Sequence, residues 1–366
     1  RKAEIIPAEC RTAFQPDPDN TGGGRRMKNH SLFLFPLFFV SFLAIGCSQK
    51  NSARHKEVVV YTYDSFSGEW GPGPEIARLF KEKTGLDVVY TDCGDGGQIL
   101  SKALMEKDSP QADVLVGIDN NLADRARQAG ILESYRPGSA SGIIPEGFED
   151  ALGGDWFLTP YDYSHFAMIY DTESDVPAPE SLEDLTKEVY RKKIILMDPR
   201  TSTPGLGFVA WTVAVFGDGY SDFWKRLKPS VLTMSPGWSA GYGLFTEGEA
   251  PLVISYTTSP AYHVEYGEGD RFKALVFEEG HVRQVEGAGI LKNAQNRRGA
   301  EKFIDFLISA EAQSVIPLTQ WMFPVNGAVT MPESYSIAAP LPTKTLYYSS
   351  AAVNDAVPVI MDILSK

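Results

Sequence analysis

Three hydroxyls, an arginine and two glycines gather at one corner of this chain: Asp198-Pro199-Arg200-Thr201-Ser202-Thr203-Pro204-Gly205, then Leu206-Gly207. The corner follows a short apolar run of strand length, 194–197. It leads into a longer apolar run of helical length, 206–216. Pro204 suits the first helical position, where its missing N–H costs nothing, and Thr203 suits the N-cap before it. A strand that turns into a hydroxyl-rich helix start presents unpaired N–H groups at the positive end of a dipole. That chemistry holds an oxygen-rich or anionic group. No Gly-Lys-Ser/Thr follows, so the corner is not a nucleotide loop of the Walker type.

The second chemical signal is aromatic. Trp70 precedes Gly71-Pro72-Gly73-Pro74, a tight turn that would hold an indole in place. Trp238 stands in Pro236-Gly237-Trp238-Ser239, just before an expected helix. Tyr256 opens Thr257-Thr258-Ser259-Pro260-Ala261-Tyr262-His263, a strand that ends in hydroxyls before a helix-starting proline. Trp321 begins Trp-Met-Phe-Pro. Taken singly, each ring fits core packing. Taken together they fall at strand and helix ends, where a cleft would form. Trp and Tyr faces beside a carboxylate suit a flat, cationic heteroaromatic ligand through stacking and cation–π attraction.

Catalytic patterns are poor. There is no Gly-x-Ser-x-Gly, no His-Glu-x-x-His and no paired-cysteine motif. His165, His263 and His281 lack metal-ligand spacing and read as structural or surface histidines. Asp162, Asp198 and Glu286 could act as acid–base groups but read as capping or paired carboxylates. Tyr347-Tyr348 hints weakly at a tyrosinate iron site and reads better as a core or solvated pair.

The elements that must position these groups alternate. Strands are expected at 58–61, 87–90 and 113–117, and helices at 74–84 (stopped by Gly85) and 98–107. Another helix, capped by Asp119, should run through Ala129. Such alternation implies parallel strands with crossovers, whose ligands bind at the carboxyl ends of the strands. Those ends carry Tyr63-Asp64, Cys93-Gly94-Asp95-Gly96-Gly97 and Asp119-Asn120-Asn121. The run 156–170 reads as a strand crossing to a second lobe. There, helices at 182–190, 206–216 and 239–247 alternate with strands at 194–197, 231–233 and 252–256. The run 283–291 reads as a further strand, 300–309 as an amphipathic helix, and 351–364 as a last helix kinked at Pro358. The fold class is therefore α/β and bilobed, two discontinuous lobes around a cleft. Residues 58–158 plus 284–319 are expected in lobe I, and 159–283 plus 320–366 in lobe II.

The N-terminus carries an address. Residues 1–26 show no periodicity and are expected to be an upstream extension absent from the mature protein. Met27 begins a charged start at Lys28, an apolar run from Leu32 to Ile45, and Gly46-Cys47. Residues 27–46 read as a secretory signal, and the site before Cys47 resembles a bacterial lipoprotein processing site. Cys47 would be the lipidated first residue and 47–57 a tether. The apolar run is short for a membrane span. Of 34 basic and 47 acidic residues, six and four precede Cys47, leaving 28 and 43, a net of −15. That acidity argues against nucleic acid as a partner and does nothing to favour an anionic membrane surface. With Cys10 in the extension and Cys47 lipidated, Cys93 is alone, so no internal disulfide is expected despite export.

Ordered motifs carry a family resemblance: Tyr61-Thr-Tyr-Asp-Ser-Phe66, Trp70-Gly-Pro-Gly-Pro74, Gly117-Ile-Asp-Asn-Asn121, Asp198-Pro-Arg-Thr-Ser-Thr-Pro-Gly-Leu-Gly207, Gly237-Trp-Ser239, Ser255-Tyr-Thr-Thr-Ser-Pro-Ala-Tyr-His263, Glu279-Gly-His281 and Trp321-Met-Phe-Pro-Val325. From about Val58 to about Val329 the chain resembles the thiamine-binding periplasmic proteins of bacterial ABC importers; it matches less well after Thr330. The resemblance implies a type II periplasmic-binding-protein fold related to iron-binding proteins and to thiaminase. It implies that Tyr63, Trp70, Asp95, Tyr163, Ser202, Trp238, Tyr256, Tyr262 and Trp321 line the pocket. Gly94 stands where the family often has Glu. The implied ligand is thiamine, its monophosphate or its diphosphate, with no cofactor and no metal. The implied partner is an ABC permease. The protein would be a monomer in the periplasm, held to the cytoplasmic membrane only by its lipid anchor, and not an enzyme. Two alternatives stand beside this: a thiaminase-like enzyme using Cys93, and a binding protein for ferric ion or another small anion.

Overall fold

The computed structural model describes residues 56–366; the extension, the signal and Cys47 lie outside the described residues. The strands are β1 (Glu57–Thr62), β2 (Asp87–Asp92), β3 (Val114–Asp119), β4 (Leu132–Glu133), β5 (Thr159–Asp171), β6 (Ile194–Met197), β7 (Val231–Ser235), β8 (Leu252–Tyr256), β9 (Phe272–Ala274), β10 (His281–Leu291), β11 (Phe323–Pro324) and β12 (Thr345–Leu346). The helices used below are α1 (Gly73–Thr84), α2 (Gly96–Met105), α3 (Ala123–Gln128), α4 (Thr203–Phe216), α5 (Tyr220–Leu227), α6 (Trp238–Thr246), α7 (Pro260–Glu265), α8 (Arg297–Leu307) and α9 (Ser350–Ser365).

The strands run β2-β1-β3-β10-β5-β8-β6-β7 in hydrogen-bonded order. The β2-β1-β3 and β8-β6-β7 stretches are parallel, as the strand–helix alternation requires. The antiparallel strands β5 and β10 join them. The first half of β5, Thr159 to His165, pairs with β10, and its second half, Phe166 to Tyr170, pairs with β8. A strand of 13 residues thus begins in one sheet and ends in the other. β10 pairs with β5 and then with β3. Both of these ladders slip register around Gly287, where the strands bend between lobes.

Helix α4 is the apolar run 206–216, and it is buried from Thr203 to Val213. A helix apolar all round has to be enclosed. Its indoles are satisfied inside: Trp211 Nε1 donates to the Gly280 carbonyl (2.9 Å), and Trp224 Nε1 of α5 donates to Thr212 Oγ1 (2.9 Å). Gly207 is needed for the close approach, because a Cβ there would stand 2.2 Å from the Phe166 ring of β5. Helix α9 packs against α4 and α5 and runs on through Pro358 as one helix.

Three local expectations are corrected. The segment 182–190 forms two 3₁₀ turns, Glu183–Thr186 and Glu188–Tyr190, because Lys187 is extended (φ −69°, ψ 148°) and breaks the helix between them. Asp119 does not start a helix to Ala129. Its Oδ1 accepts the Asn121 and Leu122 amides (both 3.1 Å) in a turn, and α3 begins at Ala123. The N-cap of α4 is Ser202, not Thr203, and the Ser202 hydroxyl makes no capping bond.

Candidate functional site

The missing cap of α4 comes from the other lobe. Asp95 is the N-cap of α2 and forms a capping box with Gln98. Its Oδ1 accepts the amides of Gly96 (2.6 Å) and Thr203 (3.3 Å), and its Oδ2 accepts the amide of Trp238 (3.2 Å). The N-termini of α2, α4 and α6 therefore converge on one carboxylate. Burial pushes the Asp95 carboxyl up, and the Gly96 amide, the Ser202 hydroxyl and the Thr203 and Trp238 amides oppose the shift. Two more bonds cross at this end: Gly97 N to the Thr201 carbonyl (3.2 Å) and Ser239 Oγ to Asp64 Oδ1 (2.9 Å). The lobes are closed here.

Behind this corner lies a tyrosine–carboxylate network on the crossing strands. Glu286 Oε2 accepts from Tyr63 OH (2.7 Å) and Tyr161 OH (2.6 Å), and its Oε1 accepts from Gln284 Nε2 (2.8 Å). Gln284 Oε1 in turn accepts from Tyr256 OH (3.1 Å), and Gln320 donates to the Tyr63 hydroxyl. Tyr63 is wedged over Gly117, where a Cβ would stand 2.3 Å from its ring. Asp162 sits directly opposite Glu286 in the β5–β10 ladder and is 0 % exposed, and the two carboxyls lie within hydrogen-bond reach of each other, a contact that needs a proton on one of them. Burial and the charge of Glu286 push the Asp162 carboxyl well up, and burial also pushes Glu286 up. Burial pushes Asp119 up to about 7. Among the described residues no Lys, Arg or His bonds to or pairs with Asp95, Asp119, Asp162 or Glu286. Four buried carboxyls without a basic partner favour a proton or a cation.

Aromatic groups gather beside Asp95 at Trp238, and separately at Tyr262 with Trp321. The Trp238 ring stacks on Tyr242 (centroids 5.0 Å, planes 19° apart), and its Nε1 donates to Ser255 Oγ (2.8 Å). Tyr242 OH meets His263 Nε2 (2.9 Å), and His263 Nδ1 meets Glu268 Oε2 (2.5 Å). Tyr262 stands edge-on to Trp321 at 5.3 Å. Tyr163 stacks on Phe323 at 5.4 Å, and Tyr256 lies against Phe166. Trp321 has φ 58°, left-handed backbone at the end of a short helix where glycine is usual. A bulky side chain held there costs of order 1 kcal/mol or more, which marks positions where the ring itself is wanted.

A family model described as bacterial extracellular solute-binding protein matches residues 109–346. The chain belongs to this family of solute-binding proteins. It is 40% identical over 321 residues to the thiamine-binding periplasmic protein of Brucella abortus biovar 1 (strain 9-941), covering 87% of this chain and 93% of that one. It is 38% identical over 296 residues to the thiamine-binding periplasmic protein of Escherichia coli (strain K12), covering 81% and 88%. A solved periplasmic thiamin-binding protein superposes with a TM-score of 0.78 at 36% identity, covering 85% of this chain and 96% of that one. The architecture is the type II, two-lobed one expected.

Set against the residues singled out from sequence, this solute-binding protein brings Asp95, Ser202 and Trp238 to one corner. It joins Tyr63 and Tyr256 to the Glu286 network and pairs Tyr262 with Trp321. Trp70 is 83% exposed. The network adds Tyr161, Gln284 and Gln320, which the sequence does not single out, and joins to them Glu286 and Asp162, which stand in the sequence only as possible acid–base groups. Their one sequence signal is a polar residue inside a strand-like run, as at Gln284 and Glu286. Cys93 is half-buried, its thiol pushed up to about 11 by burial. Tyr347 is exposed, whereas the Tyr348 hydroxyl is held by Asn120 (2.8 Å) and Asn121 (2.5 Å), so the two tyrosines point apart. His281 is satisfied by the Phe277 amide and the Phe166 carbonyl (both 2.8 Å). Among the described residues no three His, Cys, Asp or Glu side chains are grouped to hold a metal.

Proposed function

We propose that this protein captures thiamine, or a thiamine phosphate, in the periplasm and delivers it to an ABC permease by closing its lobes around the ligand. The observation that carries this reading is the set of buried carboxyls that have no basic partner among the described residues, with Trp238 bonded beside Asp95 and Tyr63 and Tyr256 tied into the Glu286 network. Thiamine supplies what such a site lacks: a cationic thiazolium and two flat heteroaromatic rings. In an open molecule the Asp95 corner is split, with its cap on one lobe and the α4 and α6 amides on the other. Ligand contacts to both lobes favour the state in which Asp95 joins them. The Ser202–Thr203 corner takes the polar end of the ligand. Nine residues make up the pocket in this reading: Tyr63, Trp70, Asp95, Tyr163, Ser202, Trp238, Tyr256, Tyr262 and Trp321. Trp70 would reach the ligand only at the mouth.

The protein acts as a carrier and not as a catalyst. A thiol held near 11 is protonated at neutral pH and a poor nucleophile, and among the described residues no basic side chain hydrogen-bonds to Cys93. We further propose that Cys47 is acylated and tethers the mature protein to the outer face of the cytoplasmic membrane. Native mass spectrometry of protein recovered from membranes reads both proposals. Bound thiamine or a phosphate of it, and an acylated chain beginning at Cys47, are expected. A different co-purifying ligand overturns the first, and an unacylated Cys47 the second.

The acid centre implies a pH dependence. An unfolded Asp titrates at about 3.9, whereas Asp162 in the folded protein titrates well above its ordinary value. The native state therefore holds extra protons above pH ~4, and stability falls as pH rises through the folded values. Asp119, at about 7, adds a fall in the same direction. The carboxyl contribution to the ligand-free melting temperature is expected to drop between pH 5 and pH 8, against an opposite contribution from His165, His263 and His281, which burial holds neutral. Asp162→Asn should flatten that drop and melt higher than wild type at pH 8 while binding thiamine more weakly. An unchanged slope in Asp162→Asn places its source elsewhere.

A further inference from the structure

Asp162 is a buried acid that the pocket reading leaves without a role. It faces Glu286 across the β5–β10 ladder, and both side chains are buried. Two carboxyls within hydrogen-bond reach cannot both ionise, so they share a proton. The bonds around them assign it. Glu286 accepts from Tyr63 OH (2.7 Å), Tyr161 OH (2.6 Å) and Gln284 Nε2 (2.8 Å), so it is the charged member. Asp162 accepts from no N–H or O–H among the described residues, so it carries the proton. The other titratable groups facing the pair bring no counter-charge. Tyr63, Tyr161, Tyr256 and Tyr335 are phenols that burial holds neutral, and Asp95 and Asp119 are acids themselves. Arg283 and His165 are ladder partners three residues along the same two strands and so face the other side. The Arg283 guanidinium lies there over the Phe148 ring, 4.3 Å from its centroid.

We infer that thiamine binding expels the proton shared by Asp162 and Glu286, so that capture exchanges a proton for the fixed positive charge of the ligand. The inference rests on the thiamine reading above and deepens it. Tyr63 and Tyr256 line the pocket in that reading. Tyr63 bonds to Glu286 directly and Tyr256 through Gln284, so the acid pair stands one ring behind the ligand. Before binding, the pair carries one negative charge. After binding, two carboxylates and one cation again sum to one negative charge, and the released proton passes to the buffer. An ionised Asp162 has no donor to stabilise it, and the thiazolium supplies the compensation through a medium of low dielectric. An uncharged ring system stacks on the same aromatic faces but drives no exchange. Asp162 acts through Glu286 rather than by touching the ligand, as a positioning residue that favours a cation over a neutral heterocycle.

Calorimetric titration with thiamine in buffers of different ionisation enthalpy counts the protons released. At neutral pH the wild type should release about half a proton or more per thiamine bound. By linkage its affinity should then rise about three- to tenfold per pH unit around neutrality. Asp162→Asn should release none and bind with an affinity that no longer rises with pH. Infrared difference spectra of the wild type need no variant and decide the same point if Asp162→Asn does not fold: adding thiamine should remove the carbonyl stretch of a protonated carboxyl. Thiamine binding with no proton release, an unchanged carboxyl band, or the same release in Asp162→Asn overturns the exchange and leaves the thiamine reading standing. A wild type that binds no thiamine overturns both.

Discussion

Replacing Asp95 with alanine is expected to weaken ligand binding by about 100-fold. The Asp95 carboxylate is one of the groups that bond directly from lobe I to lobe II, through the Thr203 and Trp238 amides. Hydrogen bonds to a charged group contribute roughly 1.5–3 kcal/mol each. Losing two of them removes about 3 kcal/mol from the closed state, which is about two decades of affinity. The open state makes neither bond and is not stabilised by them, so the loss falls on closure. The local role is separable: loss of the α2 cap costs about 1 kcal/mol and lowers the ligand-free melting temperature. Asp95→Asn keeps an acceptor for one amide and should fall between alanine and wild type in affinity. Calorimetry gives the affinities, and small-angle scattering with and without thiamine reads closure directly. If Asp95→Ala melts earlier but binds and compacts like the wild type, Asp95 is a helix cap and nothing more.

The second large effect is expected at the indoles. Trp238→Ala and Trp321→Ala should each weaken thiamine binding by at least about tenfold. A desolvated cation–π contact contributes roughly 2 kcal/mol, and the lost ring area adds to it. Their structural costs should differ. Trp238 is tied in by the Ser255 bond and the Tyr242 stack, so its removal also destabilises the ligand-free protein. Trp321 sits at φ 58°, a conformation glycine adopts without strain. Trp321→Gly should therefore cost affinity while lowering the melting temperature less than Trp238→Ala does. Unchanged affinity in both indole variants would remove the stacking argument. A large melting loss with intact affinity in Trp321→Gly would make that ring a packing group.

On the proposed reading, the buried carboxyls on β3, β5, β10 and the α2 cap suit a cationic ring, and among the described residues no grouped ligand set for a metal ion stands there.

Much of the frame was legible in the residues because it is local. Gly85 ends α1 in the left-handed conformation (φ 73°), as a glycine after an amphipathic run should. The corner at 198–205 does turn a strand into a helix, since Pro204 and the apolar run after it permit little else. The strand run at 156–170 is too long for one small sheet and does pass between sheets, whereas the run at 283–291 pairs with β5, β3 and β4 within one sheet. The candidate site was legible only in part. Ser202, Trp238, Tyr256 and Trp321 announce themselves as polar or aromatic groups at element ends. Glu286 and Asp162 stand out in the sequence only as single possible acid–base groups, because what makes them chemistry is that they oppose each other across two strands more than a hundred residues apart. Side chains alternate along a strand, so a slip of one residue would send either to the opposite face. Only the closed ladder sets that register. The α4 cap shows the same division. The sequence around 198–205 called for an acceptor at the helix start and offered Thr203. The fold placed Asp95 there from the other lobe, because a buried N–H takes the strongest acceptor that packing brings within reach.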